Sequence, residues 1–305
     1  MINTLSLINK MAAENAAEFI KECEESFDNS VNDVVKTFLS DSDYDIVLLA
    51  GPSSSGKTTT AGIIAEKIRS SGRNAYIVSL DDFYLNREDI PFNEEGLKDY
   101  ENVTSLDIEL IHQSFAELIE KRKAELPVFD FMTGCRSRET KHIELEKNDV
   151  IIVEGLHALN PVITDGLDES HLYRIYISVS SKIFGDDGKI LLNKRNLRLI
   201  RRMIRDYEHR NSSVENTLLM WQGVLRGEDK FLFPFESLAD VKINSFHAYE
   251  ACIFRNEALT LLDGITQESS YYTQAEELKA ALSVFEEINT ALLPYNSLLN
   301  EFLVI

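Results

Sequence analysis

The residues best equipped to do chemistry stand together at Gly51-Pro52-Ser53-Ser54-Ser55-Gly56-Lys57-Thr58. They fill every fixed position of the pattern G-x-x-x-x-G-K-[ST]. Glycines let a backbone wrap phosphate oxygens, and successive N–H groups then point inward. A helix that starts at such a loop adds the positive end of its dipole. In that setting Lys57 reaches the β- and γ-phosphates of a nucleotide, and the Thr58 hydroxyl ligates Mg²⁺. A Gly/Ser-rich turn that merely contains Lys-Thr is the competing explanation. The context disfavours it, because the apolar run Asp45–Ala50 precedes the loop and the helical pattern Lys57–Arg69 follows it.

Two acids fall at the ends of other apolar runs. Asp81, with Asp82 beside it, follows Ala75–Leu80, and Glu154 follows Asp149–Val153. In open α/β sheets ligands gather at the carboxyl ends of the strands. One carboxylate there can orient an acceptor hydroxyl and take its proton, and another can hold the metal or its water shell. A lone acid after a strand is more commonly a turn or capping residue, which suits Asp82. Two of them flanking the strand that feeds a phosphate loop shift the balance towards chemistry.

A third group is cationic. Between Lys189 and Arg210 stand eight Lys or Arg and two acids, Asp206 and Glu208. Arg198, Arg202, Arg205 and His209 recur at helical spacing as one stripe, with Arg201 next to it. Such a stripe is ordinarily a solvated face. In a chain of formal net charge −20 that must neutralise a triphosphate, it reads better as a lid supplying guanidinium groups to a moving phosphoryl. Asn193-Lys194-Arg195-Asn196 falls short of the guanine-reading N-K-x-D, because position 196 is Asn. No D-x-x-G ends a strand where a γ-phosphate sensor belongs; Glu154-Gly155 stands there instead.

The elements that must position these groups alternate. Strands at Asp45–Ala50, Ala75–Leu80, Asp149–Val153 and Leu172–Ser178 are separated by helical segments at Lys57–Arg69 and Leu106–Lys123. That order predicts a mostly parallel sheet with helices on both faces. Residues 126–148 interrupt it as an inserted hairpin or lid, and residues 190–226 as long Arg-rich helices. Ala239–Asn244 reads as a last strand, followed by helices over 247–263 and 272–290. Ahead of all this, residues 5–39 form one or two amphipathic helices, with Ser40-Asp41-Ser42-Asp43 as a linker. The expected division is a helical extension over 1–40 and a kinase domain over 41–305, with closing helices over 247–305.

The 305 residues, 44% hydrophobic and 27% charged, suffice for one large core. The acidic surface disfavours nucleic-acid backbones as partners. Cys23, Cys135 and Cys252 are too scattered for a metal pair or a disulfide framework. No leader-like or membrane-length apolar run is present. A cytoplasmic enzyme with a small-molecule partner and no membrane partner is expected, and a homo-oligomer is compatible with the sequence.

In this order the stretches resemble the uridine kinase/phosphoribulokinase family, most closely its bacterial uridine kinase-like nucleoside kinases. The resemblance spans residues 43–305. GPSSSGKTTTAG is similar to the phosphate loop, which implies ATP contacts from Gly51, Ser53, Ser54, Ser55, Gly56, Lys57, Thr58 and Thr59. SLDDFY resembles the catalytic-base segment, with Asp81 as base and Tyr84 beside the acceptor. PVFDFMTGCRSRE resembles the hairpin over the nucleoside, and IIVEGLHALNP the strand end that puts Glu154 near Mg²⁺. RLIRRMIRDYEHR resembles the lid, with Arg202 and Arg205 in catalysis, Arg202 also towards ATP, and Arg205 and Arg210 towards the acceptor. WQGVLRGEDKFLFPFESLADVKINSFHAYE and LLPYNSLLNEFLVI resemble the second half of the bacterial branch. Many of its members carry a further module similar to part of threonyl-tRNA synthetase, where this chain has the helical residues 1–40.

The departures lie on the acceptor side. Phe129 and Gly134 stand where pyrimidine-specific members have Tyr and His, Glu101 matches the ribose-binding Asp, and Ser212 matches one lid Arg. Phe129 and Phe131 alternate on a strand and can stack on a ring, with two core aromatics of a hairpin as the equal alternative. The resemblance therefore implies a doubly wound P-loop α/β kinase that uses ATP and Mg²⁺ on the 5′-hydroxyl of uridine or cytidine. The departures add two expectations: Phe129 and Gly134 offer a base edge no side-chain donor or acceptor, so bases are poorly discriminated, and the Glu101 carboxylate keeps ribose required. The alternatives are a kinase of another small alcohol (a sugar, sugar phosphate or pantothenate-like acceptor) and a nucleotide-binding regulator without transferase activity.

Overall fold

Strands β1 (Ile46–Ala50), β5 (Val150–Glu154) and β6 (Leu172–Ser178) are nearly continuous apolar runs because helices cover both of their faces. Successive side chains of a strand alternate in direction. Val47, Leu49, Val150, Ile152, Ile175 and Ile177 accordingly join one apolar core, and Ile46, Leu48, Ile151, Val153 and Tyr176 the other. With β2 (Ala75–Ser79) and β9 (Val241–Asn244) they form a five-stranded sheet in the order β2-β5-β1-β6-β9, parallel at every pairing. The doubly wound α/β fold expected from the sequence is the one observed. This computed structural model describes residues 3–41, 43–93 and 96–303. Ser42 of the expected linker and Val304 and Ile305 of the closing segment lie outside the described residues.

Helix α1 (Leu5–Ser40) carries one break, at Asn15 (φ −159°, ψ 75°), whose side-chain oxygen accepts from the Glu18 N–H at 3.3 Å. Asn15 thus caps a second helix inside the first. Ile8, Phe19, Ile20, Val31 and Phe38 of α1 are buried in the same core as α2 (Lys57–Ser70) and the sheet.

Helix α3 (Ile108–Glu120) starts two residues later than its apolar pattern suggests, because Asp107 caps it by accepting from Leu110 N at 3.1 Å. Arg122, left-handed at φ 58°, then turns the chain directly into β3 (Lys123–Asp130). The hairpin of β3 with β4 (Cys135–Glu144) therefore occupies 123–144 rather than 126–148. A short α4 (Pro161–Thr164) follows β5, and a small ribbon of β7 (Ile183–Phe184) and β8 (Ile190–Leu192) follows β6.

Asn193 caps α5 (Lys194–Arg210) in a reciprocal pair with Asn196, so the Asn-Lys-Arg-Asn stretch is a helix start. α6 (Val214–Phe231) packs against α5. α7 (Glu250–Asp263) and α8 (Tyr272–Ser283) close the fold, both shorter than their patterns suggest, and a 3₁₀ turn at Leu298–Glu301 follows. No helix among the described residues is long and apolar enough to cross a membrane.

Candidate active site

The carboxyl ends of β1, β2 and β5 meet at one edge, where Glu154 pairs in register with Ser79 on one side and Leu49 on the other. The chain leaves β1 into the phosphate loop and enters α2 at Lys57. Gly56 makes that entry at φ +86°, and a Cβ there would lie 2.5 Å from a Leu298 methyl. Only glycine meets both demands.

Two buried ion pairs brace the loop from behind. Arg198 holds Glu228 through two bonds of 2.6 and 2.7 Å, and Glu228 accepts from Ser53 N at 3.0 Å. Arg201 bonds Glu250 at 2.6 Å and donates to Ser54 O at 3.4 Å and Ser245 O at 2.7 Å. The Arg stripe therefore divides. Arg198 and Arg201 turn inward, whereas Arg202, Arg205, His209 and Arg210 face a cavity of about 500 Å³.

That cavity gathers most of the residues the sequence singled out. Ser53, Ser54, Gly56, Lys57 and Thr58 line its phosphate end, with Asp81 and Glu154 from the strand ends. Tyr84, Glu101, Phe129 and Phe131 line the other end. Gly51, Ser55 and Thr59 do not line it. Gly51 and Ser55 are buried beneath the loop, and Thr59 Oγ1 donates to Glu301 at 2.7 Å.

Lys57 Nζ donates to Pro52 O at 3.2 Å, folded back along its own loop. Arg202 donates to Ser53 Oγ at 2.7 Å. Arg202, Arg205 and Arg210 all lie within 4 Å of the single Asp206 carboxylate, at 3.0, 2.9 and 3.8 Å. Burial works against that carboxylate, yet Arg205, Arg202 and Arg210 together hold its pKa below the ordinary aspartate value. One acid among three guanidinium groups leaves a net positive rim facing the loop.

The site carboxylates behave oppositely. Burial, reinforced by the neighbouring Asp81, pushes Glu154 up to about 7. Glu154 Oε1 accepts from Ser79 Oγ at 2.6 Å and Thr58 Oγ1 at 3.4 Å. Among the described residues Glu154 forms no ion pair, and such a buried carboxylate beside a threonine hydroxyl is a fitting pair of hard oxygen donors for Mg²⁺. That ion is usually held by one or two carboxylates together with substrate phosphates. Among the described residues no cluster of three or more His, Cys, Asp or Glu is arranged to hold a metal alone.

Burial also raises Glu101 to about 7, against the pull of Arg202. Glu101 fits because position 227, inside α6, is glycine. A Cβ there would lie 2.1 Å from the Glu101 Cβ. Asp82 is the structural member of its pair, accepting from Phe129 N at 3.1 Å and so fastening β3 to the Asp81 turn. Tyr84, Phe129 and Phe131 form a run of rings with centroids 5.9 and 5.1 Å apart. Phe131 lies in the hairpin turn rather than on the strand, 44% exposed, with Arg210 over its ring at 5.3 Å.

The model of the phosphoribulokinase/uridine kinase family matches residues 46–250. The chain belongs to this family. A uridine kinase of Bacillus pumilus is 31% identical over 199 residues, covering 65% of this chain and 85% of the relative. A uridine kinase of Macrococcus caseolyticus is 30% identical over 200 residues, covering 65% and 86%. A structure titled as a possible uridine kinase from Bacillus stearothermophilus superposes with a TM-score of 0.47 at 20% identity, covering 70% of this chain and 97% of that one.

Within this phosphoribulokinase/uridine kinase member, several lining residues escaped the sequence reading: Arg87, Tyr100, Met220 and Glu301. Glu228, behind the loop, escaped as well. In sequence Glu228 sits in Gly227-Glu228-Asp229-Lys230, which looks like a solvated turn of helix. Only its partner Arg198, thirty residues away, reveals it as buried. The apolar run around Leu298, Leu299 and Phe302 signals that the segment carrying Glu301 packs inward, but not against what.

Proposed function

We propose that the protein transfers the γ-phosphoryl group of ATP to the 5′-hydroxyl of a nucleoside, giving ADP and the nucleoside 5′-monophosphate. The observation that carries this reading is the continuity of one cavity. A phosphate loop with an arginine rim lies at one end, an acid and aromatic rings at the other, and Asp81 on its wall. The uridine kinases among its relatives support the acceptor class.

Asp81 takes the proton of the 5′-hydroxyl as that oxygen forms its bond to the γ-phosphorus and the bond to the β–γ bridging oxygen breaks. Lys57, Arg202 and Arg205 offset the charge on the moving group, where fixed donors need no reorganisation. Glu101 holds the ribose hydroxyls, and the rings of Tyr84, Phe129 and Phe131 hold the base. Thr58 and Glu154 would hold Mg²⁺, which neutralises phosphate charge when bound with ATP. The same reading places the enzyme in the cytoplasm, in the reuse of preformed nucleosides.

The test is product formation from ATP with a panel of ribonucleosides, sugars and polyols, beside a control without acceptor. Nucleoside 5′-monophosphate formed only with acceptor supports the reading. Transfer to a sugar or polyol and to no nucleoside would refute it.

A further inference from the structure

Arg87 stands where the acceptor half of the cavity lacks a reader. Its backbone N–H donates to Gly134 O at 2.8 Å, which pins the segment after Tyr84 to the hairpin turn. Its guanidinium fills the space a side chain at 134 would need, since a Cβ on Gly134 would lie 2.5 Å from Arg87 Nε and 2.8 Å from Nη2. Arg87 lines the cavity, and among the described residues its guanidinium forms no ion pair. Two neighbouring polar groups are already engaged: Tyr84 OH donates to Tyr100 O at 2.8 Å, and Arg210 covers Phe131 and faces Asp206.

A guanidinium only donates hydrogen bonds. It therefore meets a carbonyl on a base edge and opposes an amino group, as arginine does when it reads guanine over adenine. Building on the nucleoside reading above, we propose that Arg87 selects bases with a keto group, uracil over cytosine and hypoxanthine or guanine over adenine. The rings of Tyr84, Phe129 and Phe131 hold either ring size by stacking.

The test uses matched pairs that differ by one exocyclic group, uridine against cytidine and inosine against adenosine. Wild type is expected to favour the keto member of each pair in kcat/KM by about tenfold or more, the worth of one good arginine–base pair. Arg87→Met keeps the aliphatic stem and is expected to bring both ratios within about twofold of unity. Ratios that survive in Arg87→Met, with nucleosides still used, overturn this inference alone. No turnover of any nucleoside by wild type overturns it together with the function it rests on.

A separate observation concerns the nucleotide end. The first N–H groups of a helix have no acceptor within it, and in α2 the Thr60 N–H is the first to be satisfied, by Gly56 O at 3.0 Å. Glu301 Oε2 takes the donors just before it, Thr59 N at 3.3 Å and Thr59 Oγ1 at 2.7 Å. Its charge also helps raise Glu154. We infer that Glu301 occupies an anion seat that a nucleotide phosphate must take over, so it sets nucleotide affinity by competition. Leu298 and Phe302 stay buried on either side, so the exchange needs only the carboxylate to swing away.

ADP binding by calorimetry, without acceptor, tests this. Glu301→Gln and Glu301→Ala are expected to bind ADP about tenfold tighter than wild type, with unchanged thermal unfolding as the control for folding. Equal or weaker binding in both variants would overturn it, whatever the acceptor proves to be.

Discussion

Glu101 offers the most demanding test of the site, because stability and function should move in opposite directions when it is changed. Its carboxyl titrates near 7 in the fold, against 4.5 ordinarily. A raised carboxylate pKa means the folded protein holds a proton that the unfolded chain has released. Stability contributed by that proton is lost as pH climbs from 4.5 to 7. At about 1.4 kcal/mol per pKa unit, keeping Glu101 ionised at pH 8 costs the fold up to roughly 3 kcal/mol. Glu101→Gln removes the ionisable group and keeps its shape. Urea unfolding should show the variant equal to wild type near pH 4.5 and more stable near pH 8, by up to that amount. On the proposed function, the amide at pH 8 also gives up charged hydrogen bonds to the ribose, so kcat/KM for the nucleoside should fall by about tenfold or more while the KM for ATP holds. In wild type, kcat/KM for the nucleoside should rise with pH through about 7. A stability difference independent of pH would refute the electrostatic argument. Unchanged nucleoside kinetics would refute the placement of Glu101 on the acceptor.

Three further outcomes follow from the geometry. Asp81→Asn should lower kcat by about 10²–10⁴-fold with ADP binding retained, the usual worth of a positioned base. Asp82→Asn should instead disturb acceptor KM through the hairpin, and a reversal of the two in steady-state kinetics would move the base by one residue. Arg198→Met should lose about 3–5 kcal/mol by leaving Glu228 charged and buried without its partner, and the double variant Arg198→Met/Glu228→Gln should recover part of it in urea titrations. Gly227→Ala should displace Glu101, since the new methyl would lie 2.1 Å from its Cβ, and so raise nucleoside KM several-fold without touching ADP affinity by calorimetry.

What could be read from the sequence follows from how local each signal is. The phosphate loop needs eight consecutive residues and the strand and helix on either side, all contiguous, so Gly51 to Thr58 and their setting were legible. Asp81 and Glu154 were legible because an apolar run ending in an acid is a local pattern, and a parallel sheet brings such ends together. The division of the Arg stripe was not legible. Helical spacing places Arg198 and Arg202 on one face, but only the facing helix, with Glu228 on it, decides which of them is drawn inward. Arg87 and Glu301 were illegible for the same reason, since each acts on residues distant in sequence, at Gly134 and Thr59. The sequence pattern starts the hairpin three residues late, at 126 against the observed Lys123, because the left-handed Arg122 that begins it carries no composition signal.

The supports of the phosphate loop carry a consequence for how the molecule is made. The loop itself is complete when Thr58 has been synthesised, and the strands beside it by Ser178. Its braces come from Arg198, Arg201, Glu228 and Glu250, and the turn packed on Gly56 from Leu298 to Glu301. That turn is in turn tied to the first helix, where Ser297 Oγ donates to Glu24 at 2.6 Å and Tyr249 OH donates to the same carboxylate. Chains emerge from the ribosome in order, and domains fold as their segments become available. A nascent chain of this protein therefore displays a phosphate loop well before anything holds it in shape, and α1 waits through more than two hundred residues of synthesis for the serine that will engage Glu24. Nucleotide binding on stalled chains of increasing length should accordingly switch on late, once residues 297–303 have cleared the exit tunnel.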